Sequence, residues 1–317
     1  MNRIVVGVDI AKRVFQLHWV EPQTGEIVAL QVKREKFLEH FGNRSKSLIG
    51  MQACGGSQHW ARALQKLGHE AKLLSARMVK PFVVGNKNDA ADARGIWMAV
   101  QQTGIKAVAV KSEEQQAVLA LHRMREQLVK FRTAQINGLR GLLTEYGEVM
   151  PQGRAGIKRD IPGALGRLSE QIGRIERRLR QWQREDSATQ RIAAIPGVGL
   201  LSATAAVATM GDAKVFKSGR EFAAWLGLLP RQSGTGGRVR LLGISKRGDK
   251  YLRTLLIHGA RAVLTHSKSP PEWLTELLKR RPKNVAVAAL ANKMARTIWA
   301  LTAHEPAYQS GYVSRPA

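Results

Sequence analysis

The first seventy or so residues carry a succession of short apolar runs, which constrains the fold more than any other feature. Ile4–Val8 is β-branched and almost wholly apolar, as a buried central strand is. Phe15–Val20 alternates apolar and polar residues, which is typical of a half-exposed strand, and Ile27–Val32 is a third strand pattern. The chain therefore starts with three predicted strands joined by short connections.

Helix-like and strand-like segments then alternate. Phe37–Arg44 and Ser57–Leu67 have helical patterns, while Ser47–Met51 and Ala71–Leu74 suit buried strands. Three strands followed by alternating helix and strand is the order of an RNase H-like α/β fold. We predict that this domain covers residues 1–110.

A helical coiled-coil region is predicted over residues 111–190. Glu113–Tyr146 has helical spacing, and Pro151–Pro162 interrupts the pattern. The next stretch has a heptad seam, formed by Leu165, Leu168, Ile172, Ile175, Leu179 and Trp182. The two helices are expected to pair with each other or with another subunit. The flanking arginines fit a solvated helix face or a nucleic-acid contact equally well: Arg174, Arg177, Arg178 and Arg180.

The last predicted domain, residues 191–317, is mainly helical. It opens with Ile195–Gly199, followed by a helix of small residues, Leu200–Met210. A Gly-x-Gly turn that leads into a helix N-terminus offers backbone N–H groups to a phosphate, so Gly197 and Gly199 are candidate nucleic-acid contacts. The pattern is typical of a helix-hairpin-helix DNA-backbone motif, although a plain tight turn would use the same glycines.

The charge of the chain indicates a polyanionic partner. The chain has 51 Lys and Arg residues against 24 Asp and Glu, a formal net charge of +27 and a sequence pI near 11.0. Nucleic acid is the leading candidate, with binding that weakens steeply as salt rises. Charge alone also fits a ribosome-like structural RNA binder or, less well, an anionic membrane surface.

Cysteine usage and hydropathy fit a protein of a reducing cytoplasm. Cys54 is the single cysteine, so no disulfide can form within the chain. We find no apolar stretch long enough for a membrane span and no signal-peptide pattern.

Three aspartates are the candidate catalytic acids and metal ligands. Asp9 follows the first apolar strand, and Asp89 and Asp92 lie three residues apart on one face of a predicted helix, Asn88–Val100. Acids that converge in so basic a protein are suited to holding Mg²⁺ against a phosphate. Ordinary helix capping is the alternative explanation for Asp89 and Asp92.

A glycine-rich segment, Pro230–Arg240, places hydroxyls among arginines. Ser233 and Thr235 are candidate nucleophiles, because a hydroxyl can attack phosphorus once its proton is removed and the charge is neutralised. Arg231, Arg238 and Arg240 are candidate phosphate contacts, and Lys246 and Arg247 extend the basic surface. Spacing alone also fits a flexible phosphate-binding loop with no covalent role.

Six motifs, distributed over nearly the whole chain, resemble the insertion sequence one-ten family of DEDD transposases, which is related to the pilin-gene invertases. The motifs are Gly7–Lys12, Ala53–Arg62, Asn86–Arg94, Ile195–Gly199, Phe222–Leu228 and Ile244–Asp249. The resemblance implies a RuvC-like N-terminal domain, a coiled-coil insertion and a C-terminal transposase domain. It also implies Mg²⁺ bound by the acids, a serine nucleophile that links covalently to DNA, a structured guide RNA, and assembly as a homodimer or homotetramer.

Two positions depart from the family pattern. The family glutamate before Ala-Cys-Gly is Gln52 here, which keeps a carbonyl oxygen but loses the charge that Mg²⁺ prefers. The family serine falls on Thr235, with Ser233 as the fallback nucleophile. The sequence therefore predicts a Mg²⁺-dependent DNA recombinase. The alternatives are a catalytically impaired, nucleic-acid-binding relic of such an element and a junction-resolving nuclease.

Overall fold

The computed structural model describes residues 3–84, 88–149, 163–235 and 238–309. The chain divides into two compact units, residues 1–112 and 113–317. Parts of two predicted segments, Gly85–Lys87 and Pro151–Pro162, lie outside the described residues, as do Gly236 and Gly237. Within the described ranges, no helix combines the length and the apolar character needed to cross a membrane.

The first unit is built on a five-stranded mixed sheet. Its strands are β1 (Val5–Asp9), β2 (Val14–Val20), β3 (Ile27–Lys33), β4 (Leu48–Gln52) and β5 (Glu70–Leu74). The spatial order is β3-β2-β1-β4-β5. The first three strands pair antiparallel, while β4 pairs parallel with both β1 and β5. This mixed sheet fits the RNase H-like fold that the sequence predicts.

The α-helices of this unit are α1 (Phe37–Gly42), α2 (Ser57–Lys66), α3 (Ala76–Val79) and α4 (Asp89–Val100). Short 3₁₀ turns cover Arg34–Lys36 and Lys80–Phe82. One face of the sheet forms an aromatic-rich core in which Phe15 packs edge-on against Phe37 and Trp60. Such a core supplies the hydrophobic burial that makes the sheet stable.

The opposite face of the sheet is covered by α4, and glycines make this close approach possible. A Cβ at Gly7 would lie 2.5 Å from the backbone nitrogen of Trp97 and closer still to the Ala93 carbonyl. A Cβ at Gly50 would lie 2.8 Å from the Cβ of Val100. The helix backbone therefore rests almost directly on the backbone of β1, which a larger residue would prevent.

The second unit is mainly helical, with one hairpin. Its elements are α5 (Glu113–Glu145), α6 (Gly163–Glu185), α7 (Ser187–Ala193), α8 (Leu200–Met210), α9 (Gly219–Trp225), β6 (Pro230–Thr235), β7 (Arg238–Ile244), α10 (Lys250–His266), α11 (Glu272–Arg280) and α12 (Lys283–Ala303), with a 3₁₀ turn at Ala213–Val215. The core of this unit extends from α5 to α12.

The heptad seam of α6 packs inside this unit. Ile172, Ile175, Leu179 and Trp182 are buried, and the last three belong to the same core as Val118 of α5. A salt bridge of 2.6 Å joins Arg125 of α5 to Glu176 of α6. The seam of α6 therefore packs against α5 of the same chain, while the arginines that flank the seam remain exposed.

A buried hydrogen-bond chain joins α5, α8 and α10. The Thr204 hydroxyl donates to the Leu200 carbonyl at 2.7 Å. Its oxygen is then free to accept from Nε2 of His122, 3.0 Å away, while Nδ1 accepts from the Tyr251 hydroxyl, also at 3.0 Å. Burial and, to a lesser extent, the Arg125 guanidinium lower the pKa of His122 to about 4. The imidazole is therefore neutral in this chain, which satisfies each buried polar group.

Replacing Gly7 with alanine should destabilise the first unit by about 2 kcal/mol, because the added methyl group overpacks the β1–α4 contact. Urea unfolding followed by circular dichroism measures the change. Gly104→Ala is the matched control, since a Cβ there meets no atom within 4 Å. Equal stability of the two variants would contradict the close packing.

The buried imidazole should make the second unit sensitive to acid. Below pH 6.5 the unfolded chain binds a proton at His122 that the folded chain, with a pKa of about 4, does not bind. Stability is therefore lost as the pH falls from 6.5 to 4, by about 3 kcal/mol at most. His122→Gln should be less stable than the parent at pH 7, and this gap should narrow on acidification.

Urea unfolding midpoints between pH 7 and pH 4.5 measure this gap. His258→Gln, at an exposed position on α10, controls for the general loss of a histidine. A gap between the parent and His122→Gln that stays constant across this pH range would contradict the role given to His122.

Candidate active site and nucleic-acid interface

Asp9 and Gln52 lie side by side at the carboxyl ends of two parallel strands. Val8 of β1 pairs with Met51 of β4, so the next residues along the strands are Asp9 and Gln52. Side chains alternate across a sheet, which puts Asp9 on the same face as Gly7, and Gln52 on the same face as Gly50. Both glycines face α4. The two polar side chains therefore project from the α4 side of the sheet.

The direction of α4 brings its first turn toward this edge. Its C-terminal residues Ile96 and Val100 pack with Val5 and Leu48, which start β1 and β4. The amino end of the helix therefore points toward the carboxyl ends of those strands. Asp92 is half-buried on the first turn and Asp89 is exposed.

The capping role that sequence patterns allow for Asp89 and Asp92 belongs to another residue. Asn88 is the N-cap of α4, and its side chain accepts from the backbone nitrogen of Ala91 at 2.7 Å. Both aspartates still benefit from the positive end of the helix dipole. Their carboxylates are not used as the N-cap acceptor.

The acids do not form a ready-made metal cage. Throughout the described ranges, no three side chains of Asp, Glu, His or Cys are grouped closely enough to hold a metal ion. Asp9, Asp89 and Asp92 are all described residues and so are not gathered in this way. Mg²⁺ commonly binds one or two carboxylates and completes its shell with water and phosphate oxygens. Asp9 and the Gln52 carbonyl oxygen are neighbouring oxygen donors at the strand ends, a number of protein ligands that such sparse coordination allows.

Two buried polar residues of β2 lie beside this edge, and sequence reasoning missed them. Gln16 pairs with Asp9 and His18 pairs with Gly7, so both face α4. They are only 6% and 7% exposed, so the prediction of a half-exposed strand at Phe15–Val20 was wrong. The alternation was real, but its polar positions face a covering helix instead of solvent.

His18 belongs to a small polar cleft. Its ring packs edge-on against Trp97 with centroids 5.4 Å apart. Burial, followed by the Arg94 charge, lowers the pKa of His18. His18 and Arg94 line a cavity of about 250 Å³ next to the first turn of α4. A neutral imidazole and a guanidinium thus lie close to the candidate catalytic acids.

Cys54 lies two residues after Gln52, and its pKa is affected by Asp9 at the same edge of the sheet. Partial burial and, secondarily, the negative charge of Asp9 raise the pKa of its thiol. The thiol therefore stays protonated at neutral pH, which is unfavourable for binding a metal as thiolate.

The glycine-rich segment that the sequence left open as a flexible loop is a β-hairpin. Strands β6 and β7 pair antiparallel, with Ser233 opposite Arg240 and Thr235 opposite Arg238. Residues directly opposite each other share a face of the ladder. The hydroxyl of Ser233 and the guanidinium of Arg240 are therefore neighbours on one exposed face. The side chain of Thr235 lies outside the described part of the structure.

The other face of the hairpin is turned toward the helices. Gln232 pairs with Leu241, and both side chains line a cavity with Arg220 of α9 and Arg296 of α12. A register irregularity between Pro230 and Gln232 separates Arg231 from this regular alternation. The hairpin thus presents hydroxyl and arginine groups on one side and contacts the body of the unit through the other.

The basic turn after the hairpin is held rigidly by main-chain contacts. Lys246 and Arg247 are exposed, and Lys246 has a positive φ of 56°. The nitrogen of Lys246 donates to the Gly227 carbonyl at 3.1 Å. Gly227 has a φ of +73°, and a Cβ there would clash with the backbone of Arg247. Two sequence motifs, Phe222–Leu228 and Ile244–Asp249, therefore interlock.

The buried side chain of Arg253 holds the turn of Lys246 and Arg247 in place through hydrogen bonds. It is 8% exposed, and its Nη1 donates to the carbonyls of Leu226 at 2.9 Å and Arg247 at 2.7 Å. Although Arg253 follows Lys246 and Arg247 in a basic stretch of the sequence, it does not extend the exposed basic surface. Its charge instead stabilises two main-chain carbonyls, so it positions Lys246 and Arg247 without being exposed itself.

The two glycines before α8 have different environments. Gly197 has a φ of +83°, and a Cβ there would lie 2.7 Å from the Gly259 carbonyl of α10. Gly199 is exposed, is the N-cap of α8, and has open space around it. Gly197 thus has a structural reason to be glycine, while the backbone at Gly199 is accessible to a phosphate.

Comparisons with known proteins cover both units. The model of the IS110-type DEDD transposases matches residues 6–148, and the model of the transposase IS116/IS110/IS902 family matches residues 189–274. The chain is 44% identical to a probable family 20 transposase of Pseudomonas aeruginosa, over 98% of this chain and 100% of that protein.

Two further relatives are consistent with this result. The transposase of insertion sequence element IS1111A from Coxiella burnetii is 40% identical over 97% of this chain and 92% of its own length. A pilin gene-inverting protein of Moraxella lacunata is 22% identical over 81% of each chain. The matched models together span well over half of the chain, which therefore belongs to the IS110 family of transposases.

Proposed function

We propose that this transposase exchanges DNA strands in a Mg²⁺-dependent reaction that uses the Thr235 hydroxyl as nucleophile. The observation that carries the proposal is the position of Asp9 and Gln52, which directly follow the paired residues Val8 and Met51 at the strand ends toward which the first turn of α4 points. A polar, partly acidic edge in a protein of net charge +27 suits a divalent cation and a DNA phosphate better than any uncharged substrate.

Asp9 and Asp92 would hold the cation, with Gln52 as a neutral donor and Asp89 as an outer carboxylate. A bound Mg²⁺ supplies charge neutralisation at the phosphate and at the departing oxygen. The sparse donor set leaves room for phosphate oxygens to complete the coordination shell, so metal and DNA binding should reinforce each other.

In the covalent step, the Thr235 oxygen forms a bond to phosphorus and the bond to the DNA 3′ oxygen breaks. The hydroxyl loses its proton and the departing 3′ oxygen gains one. A 3′ hydroxyl from the other DNA strand then attacks the phosphothreonine, which restores a phosphodiester and frees Thr235. The number of phosphoester bonds is conserved, so the reaction needs no external energy source.

The basic groups of the second unit would position the DNA. Arg231, Arg238 and Arg240 flank the hydroxyls on the hairpin and can hold phosphate oxygens. Lys246 and Arg247 form a second, rigid contact, and the backbone at Gly199 offers a third. The reaction requires the acidic edge and the hairpin to meet at one phosphodiester, within one subunit or across a homodimer or homotetramer.

A structured RNA guide is the remaining part of the proposal. The net charge of +27 provides ample capacity for a second polyanion, and the exposed arginines of α6 offer a surface for it. Strand exchange between element-end and target DNA, with and without RNA transcribed from the element's flanks, tests this requirement directly.

Gln52→Glu should raise the strand-exchange rate at limiting Mg²⁺ by about tenfold, because a carboxylate binds this ion more strongly than an amide. Titration of Mg²⁺ against the initial rate of exchange measures the effect. Asp9→Ala should abolish activity in either background. An inactive parent that becomes active only as Gln52→Glu would favour the alternative of a catalytically impaired relic.

Thr235→Ala should reduce strand exchange by a factor on the order of 10³ or more, since the covalent intermediate can no longer form. Thr235→Ser keeps the hydroxyl and removes a methyl group, so it should stay active. Ser233→Ala, on the same strand, is the matched control and should retain activity. Covalent protein–DNA adducts trapped on denaturing gels provide the readout. Loss of these adducts in Ser233→Ala but not in Thr235→Ala would show that Ser233 is the nucleophile.

A further inference from the structure

The cavity behind the hairpin has the composition of a nucleotide site. It has a volume of about 380 Å³ and lies between β6–β7 and the helices α9 and α12. This size is at the lower end of the range of small-molecule sites, about 300–1,000 Å³. It is suited to a single nucleotide and is too small for a base pair in a duplex.

Two arginines provide the charge at this cavity. Arg220 and Arg296 are exposed residues that line it. A Cβ at Gly219 would lie 2.8 Å from the Arg296 carbonyl, so the start of α9 rests directly on α12 and brings the two arginines together. Among the described residues, neither arginine forms an ion pair with a carboxylate. Both are therefore available for a phosphate.

The remaining lining suits a base. Leu229, Pro230 and Leu241 offer apolar surface, and Leu241 is 64% exposed although it faces the cavity. Amides of Gln232 and Asn292 lie beside this surface. The Asn292 Nδ2 donates to the Leu228 carbonyl at 3.4 Å, which leaves its oxygen as an acceptor. Amide groups can pair with the hydrogen-bonding edge of a base, and guanidinium planes can stack on it.

We infer that this cavity binds one unpaired nucleotide of a nucleic-acid strand, with its base against Leu241 and its phosphate between Arg220 and Arg296. Gln232 and Ser233 are consecutive residues whose side chains lie on opposite faces of β6. A strand with one nucleotide in the cavity therefore passes the edge of β6 next to the hydroxyl-bearing face. The idea that this nucleotide holds the strand next to the hydroxyl of the hairpin rests on the proposed function. Binding of the nucleotide in the cavity does not.

A short single-stranded oligonucleotide with one 2-aminopurine tests the inference, in DNA and RNA versions. The fluorescence of 2-aminopurine rises when the base leaves its stacked neighbours, and the described residues that line the cavity include no aromatic side chain that would quench it. Binding to the intact protein without Mg²⁺ should raise the emission. A rise with either version supports the site and identifies the strand that uses it; no rise with both overturns it.

Matched variants separate the cavity from general electrostatic binding. Arg220→Gln with Arg296→Gln should weaken oligonucleotide binding about tenfold and remove the emission rise. Arg261→Gln with Arg280→Gln removes the same charge from exposed positions outside the cavity and should keep the rise. Equal behaviour of the two double variants would overturn the assignment.

Two further variants test the apolar part without changing charge. Leu241→Trp should fill the cavity and suppress the emission rise, whereas Leu242→Trp, at the next residue, which does not line the cavity, should not. An abasic oligonucleotide should lose the sensitivity to Arg220 and Arg296; retained sensitivity would show a phosphate-only site and overturn base binding. Thr235→Ala and Asp9→Ala should give the parent signal, which separates this test from failure of strand exchange.

Discussion

The close packing of α4 on two glycines of the sheet is the contact on which the candidate catalytic edge depends. Gly7 and Gly50 allow the helix to approach β1 and β4 so closely that any side chain there would clash. The same alternation that places these glycines under α4 places Asp9 and Gln52 two residues further along, at the strand ends. A steric requirement within the core thus determines where the charged groups emerge.

The surroundings of that edge are more polar than a typical sheet–helix interface. Gln16 and His18 are buried beneath α4, and burial, followed by the Arg94 charge, lowers the pKa of His18. Buried polar groups are costly unless they are hydrogen-bonded. Gln52 makes the edge less negative than a full set of carboxylates would, so in the proposed mechanism a bound cation would depend more on substrate phosphate for its oxygen ligands.

In the second unit, buried hydrogen bonds hold basic segments of the chain in a defined geometry. Arg253 donates to two main-chain carbonyls beneath the turn of Lys246 and Arg247. The chain of Tyr251, His122 and Thr204 joins three helices through neutral hydrogen bonds. The hairpin then uses its two faces separately, one with Ser233 and Arg240 and the other against the cavity. These contacts pre-organise the groups that the proposed chemistry needs.

Local patterns in the sequence determined the strands and helices of the first unit, the heptad of α6 and the basic character, because hydrophobic periodicity and charge act over short distances. They also identified Asp9 and the glycine-rich segment Pro230–Arg240 as candidates, whereas Gln52 was identified only through the family resemblance. Only the tertiary structure decided that the polar positions of β2 face a covering helix, that Arg253 is buried and that the hydroxyl segment is a hairpin with a cavity behind it. Those outcomes depend on which distant segments pack together, and no local pattern contains that information.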